Sequence, residues 1–230
     1  MKGKLVEDRF DVIRRYVEHK EVLDCGCVGG GPGAEDWLHG RLVEVSKRVV
    51  GVDIQKEGVE RLRKLGYEVV WGDVTTMNLG EKFDVIVAGE LIEHLPNQGL
   101  FLENMKRHLK RRGVLVLTTP NAWAFPFPYQ WTELITWNAW RDKAGSGKWS
   151  PFSHVVLHSP DTLSALAEMH GFEIELWGCV VGSPPKRGLR RLIRNRFYSL
   201  FPQFSPSLLA ILRPRFCGFG LSACCVEGKS

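Results

Sequence analysis

The sequence predicts an α/β protein: one mostly parallel sheet of seven strands with helices on both faces. Two observations carry this. Short, nearly continuous apolar runs recur, as in Val49-Val50-Gly51-Val52, Val85-Ile86-Val87-Ala88 and Val114-Leu115-Val116-Leu117, and runs without a polar face belong to strands buried on both sides. Between them lie stretches with apolar residues three and four apart, the period of an amphipathic helix, so strands and helices alternate. A third observation concerns run ends: Glu21-Val22-Leu23-Asp24 breaks into Cys25-Gly26-Cys27-Val28-Gly29-Gly30-Gly31, and the next run ends in Asp53.

Taken in order, Leu5, Phe10, Ile13 and Val17 recur at helical spacing and predict an opening helix over 4–19. Strands follow at 21–25, 48–53, 67–71, 83–88, 113–119, 172–178 and 217–226. Helices fill the gaps at 34–45, 56–65, 97–110 and 160–170, the last opening on Ser159-Pro160-Asp161. The whole chain, 1–230, reads as one domain with two insertions. The first, 121–152, holds Trp123, Trp131, Trp137, Trp140 and Trp149, five of the eight tryptophans; it reads as a lid above the ligand end or as a satellite core. The second, 183–213, is basic. Residues 176–226 contain no Asp or Glu and eight cations, so with a net charge of +5 overall the remainder nets −3. Leu189, Leu192, Ile193, Phe197, Leu200 and Phe201 share one face of an expected basic amphipathic helix over 187–201, bounded by Pro185 and Pro202.

Ligands of such sheets bind beyond the carboxyl ends of the strands, where Asp24, Asp53, Asp73 and Glu90 are placed. These acids discriminate between ligands. A dinucleotide needs its pyrophosphate on backbone amides of the glycine turn, where a carboxylate repels it. Val28 also stands where the dinucleotide fingerprint wants its second glycine. S-adenosylmethionine carries no phosphate, bears a sulfonium and an ammonium, and offers a ribose diol to a carboxylate. Singly, each acid has a plain alternative as a solvated helix cap or turn residue.

Asp24-x-Gly26-Cys27-x-x-Gly30 resembles the first motif of class I S-adenosylmethionine-dependent methyltransferases, Asp53 their ribose-binding acid, and Trp71-Gly72-Asp73-Val74 their adenine segment. Phe83 to Leu95 is similar to the fourth strand and its turn, and Gly113 to Pro120 to the fifth strand. His154 to Phe172 resembles the small-molecule branch that includes the quinone-biosynthesis O-methyltransferases; the likeness covers about 20–182. It implies a Rossmann-like, doubly wound fold with S-adenosylmethionine as cofactor. By the same resemblance Asp53 meets the ribose, Asp73 and Val74 the adenine, and Asp24 and Glu90 the methionine end, with Ile54 and the backbone of Gly26, Cys27 and Gly30 also against the cofactor. Val28 departs from the pattern, since many members have glycine there.

Methyl transfer to oxygen needs a base, and His94, His154 and His158 are the candidates, with His154 and His94 the two assigned to catalysis. The six cysteines have no zinc-like spacing, and no metal is expected. No apolar run approaches the roughly 20 residues of a membrane span, and the charged start Met1-Lys2-Gly3-Lys4 lacks a signal core, so a cytoplasmic protein is expected. The aromatic insertion and basic helix together point to a small or lipid- or glycan-linked acceptor, and to an anionic membrane surface on the inner face. An RNA or protein methyltransferase is one alternative; a nicotinamide-dependent oxidoreductase or a non-catalytic nucleotide-binding module is another. Strand four ends in Ala88-Gly89-Glu90-Leu91, not the Asn/Asp-Pro-Pro-Tyr type of turn used on base amino groups, so nucleic acid is the less expected partner.

Overall fold

The computed structural model describes residues 5–6, 8–34, 36–124, 154–179 and 196–215. Along the chain run β1 (Leu5–Val6), α1 (Arg9–Val17), β2 (Glu21–Cys25), α2 (Leu38–Val45), β3 (Arg48–Asp53), α3 (Lys56–Lys64) and β4 (Val69–Trp71). Then follow β5 (Phe83–Gly89), α4 (Gln98–His108), β6 (Leu109–Pro120), α5 (Pro160–Met169), β7 (Phe172–Cys179) and β8 (Ser207–Pro214). The strands form one sheet in the order β1-β7-β8-β6-β5-β2-β3-β4. Every pairing is parallel except those of β8, which runs antiparallel to β6 and β7. Strands β2 to β7 match six of the seven expected, whereas β1 takes the start of the helix expected over 4–19, which begins only at Arg9, because Leu5 and Val6 pair with Gly178 and Cys179 of β7.

The continuous apolar strands split by alternation into two cores, because successive side chains of a strand point to opposite faces. Val22, Val85, Val87 and Val116 pack with Phe10, Ile13 and Val17 of α1 and Leu42 of α2. Leu23, Ile86, Ala88, Leu115 and Leu117 pack with Phe101, Leu102 and Met105 of α4 and Leu163 and Ala167 of α5. The helices start where side chains can take up the orphan amides of the first turn. Asp8 Oδ1 accepts from Phe10 N at 2.8 Å for α1, and Asn97 Oδ1 from Leu100 N at 3.0 Å for α4. Ser159 and Thr162 form a reciprocal capping box ahead of α5, with Pro160 at its first position.

The antiparallel strand is placed differently from expectation. Ser207–Pro214 overlaps the end of the expected 183–213 insertion, yet it is a central strand. Leu208 to Leu212 is a five-residue apolar run, fully buried on both faces; cations on either side of it mask the signal in a charge-based reading. The expected last strand, 217–226, lies outside the described residues, as do 125–153 of the aromatic insertion and 187–195 of the basic helix. Residues 196–200 are helical. Among the described residues, no helix is long and apolar enough to cross a membrane.

Leu208 belongs to the α4/α5 core and Leu209 to the α1/α2 core. Leu208→Ala and Leu209→Ala should therefore each cost about 2–5 kcal/mol in denaturant melts. A near-neutral result for either would mean that one face of β8 is not packed.

Candidate active site at the carboxyl ends of the strands

The chain leaves β2 through Gly26, whose φ of +85° is one that a side chain disfavours. A Cβ there would also meet Leu91 Cδ1 at 3.4 Å. Backbone and side-chain bonds then fix the loop. Gly26 N donates to Val52 O at 2.8 Å, Trp37 Nε1 to Cys27 O at 3.0 Å, and Val28 N to Asp53 Oδ2 at 3.0 Å. Asp53 Oδ1 accepts from Gln55 N at 2.9 Å. The buried Asp53 carboxylate is thus held flat by two backbone amides, and each oxygen keeps a lone pair for a further donor. Gly30 lies at the exposed rim of this loop. Burial first, and then the nearby Asp24, push the Cys27 thiol up, so Cys27 packs the loop and is no nucleophile.

Beside Asp53, the side chain of Ile54 is 65% exposed, and Trp71 Nε1 donates to its carbonyl at 3.0 Å. An exposed aliphatic group fixed next to a buried carboxylate makes a surface suited to a flat ring above a diol. Gly72 N donates to Asp53 O at 3.0 Å, which brings Asp73 alongside. Asp73 is exposed and accepts from Thr75 N and Oγ1 through Oδ1. Val74 is buried, and its carbonyl accepts from Asn104 Nδ2 at 3.0 Å. Asp53, Ile54, Asp73 and the loop from Gly26 to Gly30 therefore share one end of the sheet.

Two of the expected acids have partners within the protein. Alternation turns Asp24 to the same face as Val22, where α2 covers the sheet, and His39 Nδ1 lies 2.8 Å from Asp24 Oδ2 with both side chains buried. Asp24 thus ties α2 to β2 beneath the glycine loop. Glu90 has a left-handed φ of +49°, costly for a residue with a side chain. Its amide donates to Thr118 O at 3.0 Å, and its Oε1 accepts from Arg9 Nη1 at 3.1 Å. Arg9, from α1, also donates to Thr118 Oγ1.

The turn after β5 brings together a group that linear spacing does not show. Glu93 is fully buried; Thr119 Oγ1 donates to its Oε2 at 3.0 Å, whereas its Oε1 accepts no hydrogen bond and lies 3.9 Å from His94 Nε2. Burial first, and then the charge of Glu90, raise the Glu93 carboxyl to about 8. The amides of Val155 and Val156 donate to Glu93 O, which seats the segment carrying His154 on this turn. His94 and His154, 60 residues apart, come to 5.0 Å between ring centroids. One donor atom from each of Glu93, His94 and His154 lies within 4.8 Å of the others, close enough to ligate one metal ion together. Of this group only the histidines were expected in the site. The signal for Glu93 is an acid inside Leu91-Ile92-Glu93-His94-Leu95, where its neighbours demand burial. His158 is buried, its imidazole held below the usual range by desolvation, and both ring nitrogens lack a partner.

Residues 6–176 match a family described as a methyltransferase domain. The chain belongs to the class I S-adenosylmethionine-dependent methyltransferases. It is 30% identical over 177 residues to a protein of Mycolicibacterium smegmatis named a probable S-adenosylmethionine-dependent methyltransferase, covering 73% of this chain and 59% of that one. It is 28% identical over 144 residues to the ubiquinone biosynthesis O-methyltransferase of Bartonella quintana, covering 59% and 50%. The chain thus spans about half the length of these curated relatives or a little more. Its fold is that of the N-methyltransferase NodS from Bradyrhizobium japonicum in complex with S-adenosyl-L-homocysteine, with a TM-score of 0.53, 18% identity, and 89% and 84% of the two chains covered. The family's cofactor is S-adenosylmethionine, as the acids around the cleft require.

Glu93 gives a pH signature. With its folded pKa raised to about 8 from an ordinary 4.5, the folded chain keeps a proton that the unfolded chain has lost. This residue's contribution to stability therefore falls as pH rises from about 4.5 to about 8. Glu93→Gln should flatten that decline in denaturant melts run in metal-free buffer. An unchanged slope would show that the carboxyl ionises normally.

Proposed function

We propose that the chain transfers the methyl group of S-adenosylmethionine to a hydroxyl oxygen of a small, lipid- or glycan-linked acceptor at an anionic membrane surface. The observation that carries the reaction type is the convergence of Glu93, His94 and His154 at the strand end adjoining the cofactor loop. In this reading Asp53 takes the ribose diol, Ile54 and Asp73 flank the adenine with the Val74 backbone, and the Gly26-to-Gly30 backbone lies along the cofactor. Glu90 complements the methionine ammonium, sharing its carboxylate with Arg9. Asp24 acts beneath them, through His39 and α2.

The chemistry asks mainly for position. The sulfonium carbon is already activated, so the site has to place an oxygen in line with the breaking S–C bond. His154, on the exposed side of the cluster, takes the hydroxyl proton. The oxygen forms its bond to the methyl carbon, the S–C bond breaks, and its electrons remain on the sulfur of neutral S-adenosylhomocysteine. The positive charge passes from sulfonium to imidazolium. Relatives named for ubiquinone biosynthesis O-methylation support an oxygen acceptor. A second reading of the cluster is favoured by Glu93 Oε1, which accepts no hydrogen bond: with two imidazoles it is a donor set for a divalent cation, which would polarise the acceptor oxygen. Activity lost on chelation and restored by a divalent ion selects that reading; activity indifferent to chelators selects the base.

The membrane part rests on the basic helix expected over 187–201 and on exposed apolar groups beside the site. Leu200 and Phe201 are 67% and 43% exposed, and Trp123 is 42% exposed. Asn121 Nδ2 donates to Gln203 O and Ser205 O, which ties the strand end before Trp123 to the turn after Phe201. Such a surface buries apolar groups at the headgroup level while cations meet lipid phosphate.

His154→Ala should lower kcat on a prenylated, hydroxylated test acceptor about 100-fold and leave S-adenosylmethionine affinity unchanged. An equal loss in cofactor affinity would move His154 out of the acceptor site. The protein should sediment with phosphatidylglycerol vesicles at low salt and separate from them as salt rises. No binding, or unchanged activity on the lipid acceptor after removal of 187–201, would remove the membrane from the proposal. Methylation of bulk RNA with a steep salt dependence would overturn the acceptor class.

A further inference from the structure

We infer that Val28 and Gly58 form a lock that sets the ribose end of the cofactor site, the valine filling a socket that exists because Gly58 has no side chain. The inference rests on the reading of Asp53 as the ribose acid. Val28 puts a β-branched side chain in the glycine loop that approaches the cofactor, and that side chain must be housed. It is buried among Trp37, Val59, Leu62 and Val69, on the side of the loop that α3 covers. A Cβ on Gly58 would lie 2.4 Å from Val28 Cγ1 and 2.9 Å from Cγ2. No residue other than glycine fits there while Val28 keeps its place. Gly58 lies inside the first turn of α3, where glycine is a poor helix former. The clash with Val28 supplies a reason for its presence that helix formation does not.

The consequence reaches the cofactor through one hydrogen bond. The residue pinned in the socket is the one whose amide donates to Asp53 Oδ2 at 3.0 Å. Gln55 N, just ahead of α3, holds the other oxygen at 2.9 Å. Both amides that orient the carboxylate are therefore fixed to the same helix, one by sequence and the other through the Val28 side chain. With glycine at 28 the loop would have more freedom and Asp53 a less settled partner. The Val28 side chain and Gly58 are positioning elements: they face α3 and act by aiming Asp53.

The test is a calorimetric cycle on the full chain with S-adenosylhomocysteine and its 2′-deoxy analogue. Gly58→Ala should weaken S-adenosylhomocysteine binding about tenfold, by overpacking, and shrink the preference over the 2′-deoxy analogue, because the damage falls on the ribose. Val28→Gly combined with Gly58→Ala should restore affinity to that of Val28→Gly alone. If Gly58→Ala does not fold, Val28→Ala reads the same effect by removing the key: weaker binding and a smaller preference for the 2′-hydroxyl. The inference is overturned if Gly58→Ala binds like the wild type, if the double variant is no better than Gly58→Ala, or if both ligands lose equally. Asp53→Ala separates the two levels. Normal affinity in that variant defeats the ribose assignment and this inference with it; loss of the 2′ preference there, with the preference intact in Gly58→Ala, defeats the lock alone.

Discussion

The Asp53 carboxylate, buried at the end of β3, must have hydrogen-bond donors, and the chain supplies two backbone amides from different directions. Much of the cofactor side follows from this constraint. Val28 N can reach Asp53 only if the glycine loop turns sharply at Gly26, and that turn is tied to Val52 O, one residue before the acid. Gln55 N can reach it only if α3 starts directly after the strand. The carbonyl of Asp53 takes Gly72 N, which sets the chain after β4 beside it. One anion thus positions a loop, a helix and a neighbouring strand end, and still has a lone pair on each oxygen for a diol.

The same logic explains how several acids gather at one end of a sheet without driving it apart. Each has its own compensation. Asp24 is bound to His39 below the loop, Glu90 to Arg9 from α1, and Asp73 to the Thr75 amide and hydroxyl. Glu93 is the exception. It lies in an apolar turn with one oxygen that accepts no hydrogen bond, and its raised pKa records the cost of ionising there. Groups of this kind concentrate where chemistry is done. In the proposed function the acids with close donors build and complement the cofactor end, and Glu93, with two imidazoles, faces the acceptor chemistry.

How much of this the sequence discloses depends on how local each signal is. The strands Glu21–Cys25 and Arg48–Asp53 are legible to the residue, because an apolar run ended by an acid or a glycine is a contiguous pattern. Helix α5 is legible from Ser159-Pro160, a cap and a first-turn proline side by side. Strand β8 is obscured because its apolar run is short and lies between cations and prolines, so charge outweighs it. The partner of Asp24 cannot be read without knowing which face α2 covers. Glu93, His94 and His154 are joined only because two amides of a distant segment dock on the Glu93 carbonyl. Val28 and Gly58 each look like a departure from pattern, and their complementarity exists only in three dimensions. The sequence therefore discloses the cofactor end, made of strand ends and one turn, far better than the acceptor end, made of tertiary contacts.

The most direct test is a crystal structure of the chain with S-adenosylhomocysteine bound. The account predicts both ribose hydroxyls within hydrogen-bond distance of Asp53, with the amides of Val28 and Gln55 still on its carboxylate, and Glu93, His94 and His154 bordering the space beyond the sulfur. A ribose bound away from Asp53, or a sulfur facing away from that cluster, would contradict it.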